Sequence, residues 1–194
     1  MKICVVSYPN MAFHSVAFLC YCLHEYGVEL HFVAERTGRV DTKEGITILV
    51  ETPTDLAELM EYDSIILPGG ETERLLEISW LKECLHLFNK SEKIIGCICA
   101  ATRALAEFGL LAGRRYTAPI DYSTLPQAEG SKNIKSVVVE DGNLITARGQ
   151  GLVEFAITLI EKLNCTNRTE LRRLHRRYRP SKKRITWDLK PYDK

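Results

Sequence analysis

A chain of 194 residues fits one domain able to bury roughly 70% of its unfolded surface, and is short for two. With 45% hydrophobic and 26% charged residues it has the balance of a soluble globular protein rather than a disordered one. No apolar run reaches the roughly 18 residues that a membrane span needs, and the N-terminus runs straight into a strand pattern, so a cytoplasmic protein without a signal peptide is expected.

The formal net charge of +1 conceals an asymmetry: from residue 164 onward there are 11 Lys or Arg against 3 acidic residues, leaving a net-negative body. The division expected is a domain over residues 1–163 and a basic C-terminal helix and tail over 164–194. Arg172, Arg173, Arg176, Arg177, Arg179, Lys182, Lys183 and Arg184 carry that charge. Packing of the basic helix on the acidic body is expected in preference to nucleic-acid binding, which would be nonspecific without a recognition motif. Seven cysteines (Cys4, Cys20, Cys22, Cys84, Cys97, Cys99 and Cys165) lie mostly in apolar segments and read as reduced thiols. Cys20 and Cys22, like Cys97 and Cys99, are one residue apart, which does not match zinc-ligand spacing, so no metal is expected.

In chain order, residues 2–7 form a β-branched strand, 13–26 an apolar-periodic helix closed by Gly27, and 28–34 an alternating strand. Residues 38–51 read as a small ribbon, and 53–55 open a short helix capped by Thr54 or Asp55. The apolar run 64–67 is a strand covered on both faces that stops at Pro68-Gly69-Gly70. A helix over 78–89, a strand over 93–98 and a helix over 100–108 ending at Gly109 follow. Residues 137–146 form a hairpin about Asp141-Gly142-Asn143, 151–163 an amphipathic helix and 170–178 a basic one. Such alternation predicts a parallel sheet with helices on both faces.

Sites in such sheets form at the carboxyl ends of the strands. At one of these ends Gly69 and Gly70 let backbone approach a ligand, their amides free to face an oxyanion, with Glu71 alongside. At another, Ile98-Cys99-Ala100-Ala101 passes from strand to helix without a loop, which sets the Cys99 sulfur near free N–H groups and favours thiolate. Cys97 lies inside the strand and reads as inert filler.

Ile65-Ile66-Leu67-Pro68-Gly69-Gly70, then Ile98-Cys99-Ala100-Ala101-Thr102, then Asp141 to Gly149 with Glu154-Phe155-Ala156, resemble the ThiJ/PfpI superfamily, a class I glutamine-amidotransferase-like group. The likeness covers residues 1–163. It implies a flavodoxin-like three-layer α/β/α sandwich, a homodimer, no cofactor, and Cys99 as an elbow nucleophile with oxyanion donors at Gly70 and Ala100. It implies a cysteine-dependent hydrolase of the protease, amidase or deglycase kind for a small-molecule or peptide substrate. The alternatives are a noncatalytic member whose cysteine oxidises reversibly and a ligand-binding regulatory domain. Two departures stand out: Ser15 occupies the position of the family's acidic residue, and Ala100 and Ala118 stand where histidines are found. His14 is then the candidate substitute base, and Tyr116, Asp121 and Tyr122 are candidate pocket residues.

Overall fold

The structure, a computed structural model, describes residues 1–53 and 55–178. Thr54 as a cap, and the tail residues Arg179, Lys182, Lys183 and Arg184, lie outside the described residues. Strand β1 (Lys2–Val6) leads to helix α1 (His14–Glu25) and β2 (Glu29–Val33). An antiparallel ribbon of β3 (Gly38–Asp41) and β4 (Thr47–Val50) precedes the one-turn helix α2 (Leu56–Leu59), capped by Asp55 accepting the Glu58 amide at 2.9 Å. Then come β5 (Ser64–Leu67), α3 (Thr72–Leu76), α4 (Leu81–Lys90), β6 (Ile94–Ile98) and α5 (Thr102–Glu107). The chain continues through β7 (Arg115–Tyr116), β8 (Lys132–Asn133), β9 (Val138–Asp141), β10 (Leu144–Ala147), α6 (Leu152–Lys162) and α7 (Arg168–Tyr178).

The main sheet has the order β2-β1-β5-β6-β10-β9, parallel except for β9, which closes the edge as a hairpin with β10. The five parallel strands follow the flavodoxin-like order. Because side chains alternate along a strand, each strand feeds both faces. Cys4 and Val6 join Ile65, Leu67 and Cys97 beneath α3, α4 and α5, whereas Ile3, Val5 and Ile66 pack beneath α1 and α6. The predicted three-layer sandwich is therefore the observed fold. Gly96 marks where α6 presses on the sheet: a Cβ there would meet Ile66 Cδ1 at 2.8 Å and Leu159 Cδ1 at 3.1 Å.

Several sequence expectations need correction. The helix placed at 78–89 begins at Leu81, because Glu35 accepts the Ser79 amide and hydroxyl and holds that stretch as a turn. The helix placed at 100–108 is a 3₁₀ turn over Cys99–Ala101 followed by a six-residue helix. Helix α3 and the short β7–β8 pair were not legible in the sequence pattern. The described basic residues of α7 form no ion pair with the acidic body; Arg173 pairs with Glu170 of its own helix. Instead Leu171 is buried and Tyr178 packs edge-on against Phe18, ring centroids 4.7 Å apart, so α7 is held by apolar contact with the α1–α6 layer. No described helix is long and apolar enough to cross a membrane.

Candidate functional site

Order reverses between β1 and β5, and the chain segments leaving the carboxyl ends of β1, β5, β6 and β10 converge there. At the end of β6 the chain turns on Cys99, whose φ of +61° is left-handed. A side-chain-bearing residue pays on the order of 1 kcal/mol or more for that conformation, so the surroundings must impose it. They do so from within and from both sides. The Thr102 hydroxyl donates to the Cys99 carbonyl at 3.1 Å, locking the turn. Gly69 and Gly149 flank the side chain: a Cβ on Gly149 would stand 3.2 Å from the Cys99 sulfur, and one on Gly69 3.7 Å from it. The two glycines thus leave a slot for the sulfur, and Cys99 is half-buried.

The Pro68-Gly69-Gly70 segment is fixed by the loop after β1. Ser15 is buried; its hydroxyl donates to the Ala12 carbonyl at 2.6 Å and accepts the Gly69 amide at 3.2 Å. The Ala12 amide returns a bond to the Gly69 carbonyl at 2.7 Å. Gly70 has φ +135°, and a Cβ there would lie 2.6 to 2.8 Å from backbone atoms of Asn10, Met11 and Ala12, so only glycine fits. With Gly69 N–H committed to Ser15, the amides of Gly70 and Ala100 have no acceptor among the described residues. Tyr8, which the sequence analysis did not single out, supports the same loop: its buried hydroxyl donates to the Pro68 carbonyl at 2.8 Å. Burial, and then the neighbouring Cys97, Cys99 and Glu73, push the phenol up and keep it a neutral donor. Its place at the carboxyl end of β1 was the available signal.

The other predicted pocket residues are occupied elsewhere. His14 is exposed, and its Nδ1 pairs with Glu44 on the β3–β4 ribbon, so it does not serve Cys99 as a substitute base. Glu71 accepts from Asn10 Nδ2 at 3.1 Å on the surface. Tyr116 is buried, donating to Asp121 Oδ1 at 2.9 Å and accepting the Tyr122 amide at 2.7 Å. Burial is the main cause lifting the Tyr116 phenol to about 12. Bonds from Ser123, and then from Tyr116, hold the exposed Asp121 carboxyl below its usual range. These bonds join Tyr116, Asp121, Tyr122 and Ser123 in one turn. The backbone of Ala118 is held by Asn133 within the same segment.

The Cys99 sulfur makes no hydrogen bond to any described residue, and therefore none to an imidazole or carboxylate. The remaining cysteines differ from it in setting. Burial pushes the Cys97 thiol up, lifts Cys84 and Cys20 to about 12 and Cys22 to about 11, and raises Cys165.

Comparison with known proteins agrees with this architecture. The chain is 24% identical over 154 residues to a deglycase of Thermococcus kodakarensis, covering 78% of this chain and 92% of that protein. It is 37% identical over 122 residues to protein DJ-1 homolog B of Arabidopsis thaliana, covering 60% of this chain but 27% of that longer protein. Among solved structures, a DJ-1 superfamily protein of Salmonella typhimurium superimposes with a TM-score of 0.79 at 24% identity, covering 93% of this chain and 99% of the other. The family model described as the DJ-1/PfpI family matches residues 1–162, and the chain belongs to that family.

Proposed function

We propose that the chain is a cysteine-dependent enzyme in which Cys99 adds to the carbonyl carbon of a small aldehyde or glycated amine. The observation that carries the reading is the left-handed turn at Cys99, which sets the sulfur of this half-buried residue between Gly69 and Gly149; the chain neighbours Gly70 and Ala100 carry amides with no acceptor among the described residues. Attack of the thiolate forms a C–S bond, and the carbonyl π pair moves to oxygen. The Gly70 and Ala100 amides receive that oxyanion, which takes its proton from water. Amide hydrolysis is disfavoured within this reading. In an amide's tetrahedral intermediate the thiolate leaves more readily than an unprotonated amine, so C–N cleavage there needs a positioned acid, and neither His14 nor any other described histidine bonds the Cys99 sulfur. The basic carbinolamine nitrogen of a glycated amine takes its proton from water and leaves as the free amine. The deglycase of Thermococcus kodakarensis points toward the same substrate class.

The test is turnover of small aldehydes and glycated amines by wild type and Cys99→Ala, with Cys20→Ser as a control. Loss of about a thousandfold or more in Cys99→Ala alone supports the reading; equal turnover in Cys99→Ala and wild type contradicts it. A second reading follows from the missing base. A half-buried cysteine without a catalytic partner suits reversible oxidation, in which the sulfur attacks one peroxide oxygen, the O–O bond breaks, sulfenic acid forms and the other oxygen leaves as water. Absence of turnover together with selective, thiol-reversible oxidation of Cys99 would favour that second reading.

A further inference from the structure

Away from Cys99, which does not line it, a cavity of about 590 Å³ opens at the carboxyl ends of β1 and β2. That volume lies in the range that accepts small molecules. Tyr8, Ala34, Val40 and Ile78 contribute a buried, largely apolar lining. Arg36, Arg39 and Arg74 line the same cavity, together with Glu35 and Glu77.

The charges divide unequally. Glu35 is committed to the turn before α4, accepting the Ser79 amide and hydroxyl, each at 2.9 Å. Glu77 pairs with Arg74 at 3.2 Å. The side chains of Arg36 and Arg39 have neither a hydrogen bond nor an ion pair with any described residue. Two arginines with unpaired side chains therefore line a concavity that also has a buried apolar wall, while both acidic groups beside them are already engaged. A guanidinium presents parallel N–H donors that match the two oxygens of a carboxylate or phosphate.

We propose that this cavity binds a small organic oxyanion, a carboxylate or phosphate ester, with its charge on Arg36 and Arg39 and its apolar body against Ala34, Val40 and Ile78. Cys99 takes no part in this binding, so the site stands or falls separately from the proposed chemistry.

The test is isothermal titration calorimetry of the full chain with benzoate, phenyl phosphate and the neutral benzyl alcohol. The variants are Arg36→Gln/Arg39→Gln and Cys99→Ala. The result expected is millimolar or tighter binding of at least one anion, weakened by added salt and about tenfold by the arginine double variant. Binding should be unchanged in Cys99→Ala, and the stronger of the two anions identifies the oxyanion class. Both arginines are exposed, so the double variant should keep the wild-type melting temperature; if it melts lower, Arg36→Lys/Arg39→Lys replaces it and should retain anion binding with reduced strength. Absence of anion binding to wild type, equal binding of benzyl alcohol, insensitivity to the arginine substitutions, or loss of binding in Cys99→Ala would each overturn the proposal.

Discussion

At the scale of single residues, the candidate site depends on backbone that tolerates few side chains. Cys99 occupies a left-handed turn, and Gly70 lies so close to the loop after β1 that a methyl group would overlap main-chain atoms. Gly70→Ala should therefore destabilise the fold by about 2 kcal/mol or more and abolish turnover, measured by chemical denaturation and by activity under conditions where the variant remains folded. Ser15 sits where the sequence resemblance places an acidic residue, and in the structure it anchors the Gly69 amide rather than touching the cysteine sulfur. Ser15→Ala leaves that buried amide without its acceptor and should cost about 1 to 3 kcal/mol. Tyr8→Phe similarly removes the donor to the Pro68 carbonyl and should cost about 1 kcal/mol with little change in circular dichroism.

Among the elements, the start of α1 is held from a distance. The helix has no capping side chain of its own; Glu44, on the β3–β4 ribbon, accepts the Phe13 amide at 3.0 Å and the His14 amide at 3.3 Å and pairs with the His14 ring. Burial works against the Glu44 charge, but the bonds from His14 and Phe13 outweigh it and bring the carboxyl down to about 2. The folded value lies below the roughly 4.3 of an unfolded glutamate, so the stabilisation is present above that value and is lost as pH falls toward 2. Glu44→Gln should cost about 1 kcal/mol at pH 7, and its difference from wild type in urea denaturation should shrink between about pH 5 and pH 2. On the opposite side of the sheet from α4, Gly96→Ala would push a methyl group into Ile66 and Leu159, and overpacking of this kind costs about 1 to 3 kcal/mol.

Over the whole molecule, the sandwich was legible because β1, β5 and β6 are short apolar runs separated by helical periodicity, a pattern that only a sheet covered on both faces satisfies. The position of Cys99 was legible for the same reason, as the residue where such a run meets a helix-forming segment. What escaped was set by tertiary contact. Residues 113–136 carry two-residue strands and turns whose bonds, such as Tyr116 to Asp121, join side chains without a periodic signal. The Glu44 cap joins residues 30 positions apart, and His14 looked available for chemistry because its partner is so distant in sequence. A homodimer, implied by the sequence resemblance, remains a proposal; sedimentation should give twice the 22.1 kDa chain mass at micromolar concentration, and a monomer would contradict it. The central claim, that Cys99 is the reactive thiol, is tested most directly by a brief iodoacetamide pulse on the native protein at neutral pH, with each cysteine resolved by peptide mass spectrometry. Burial raises the thiols of the half-buried Cys20 and Cys165, so Cys99 should be alkylated about tenfold or more faster than either. Labelling of Cys99 at the same rate as those two, or more slowly, would contradict the account.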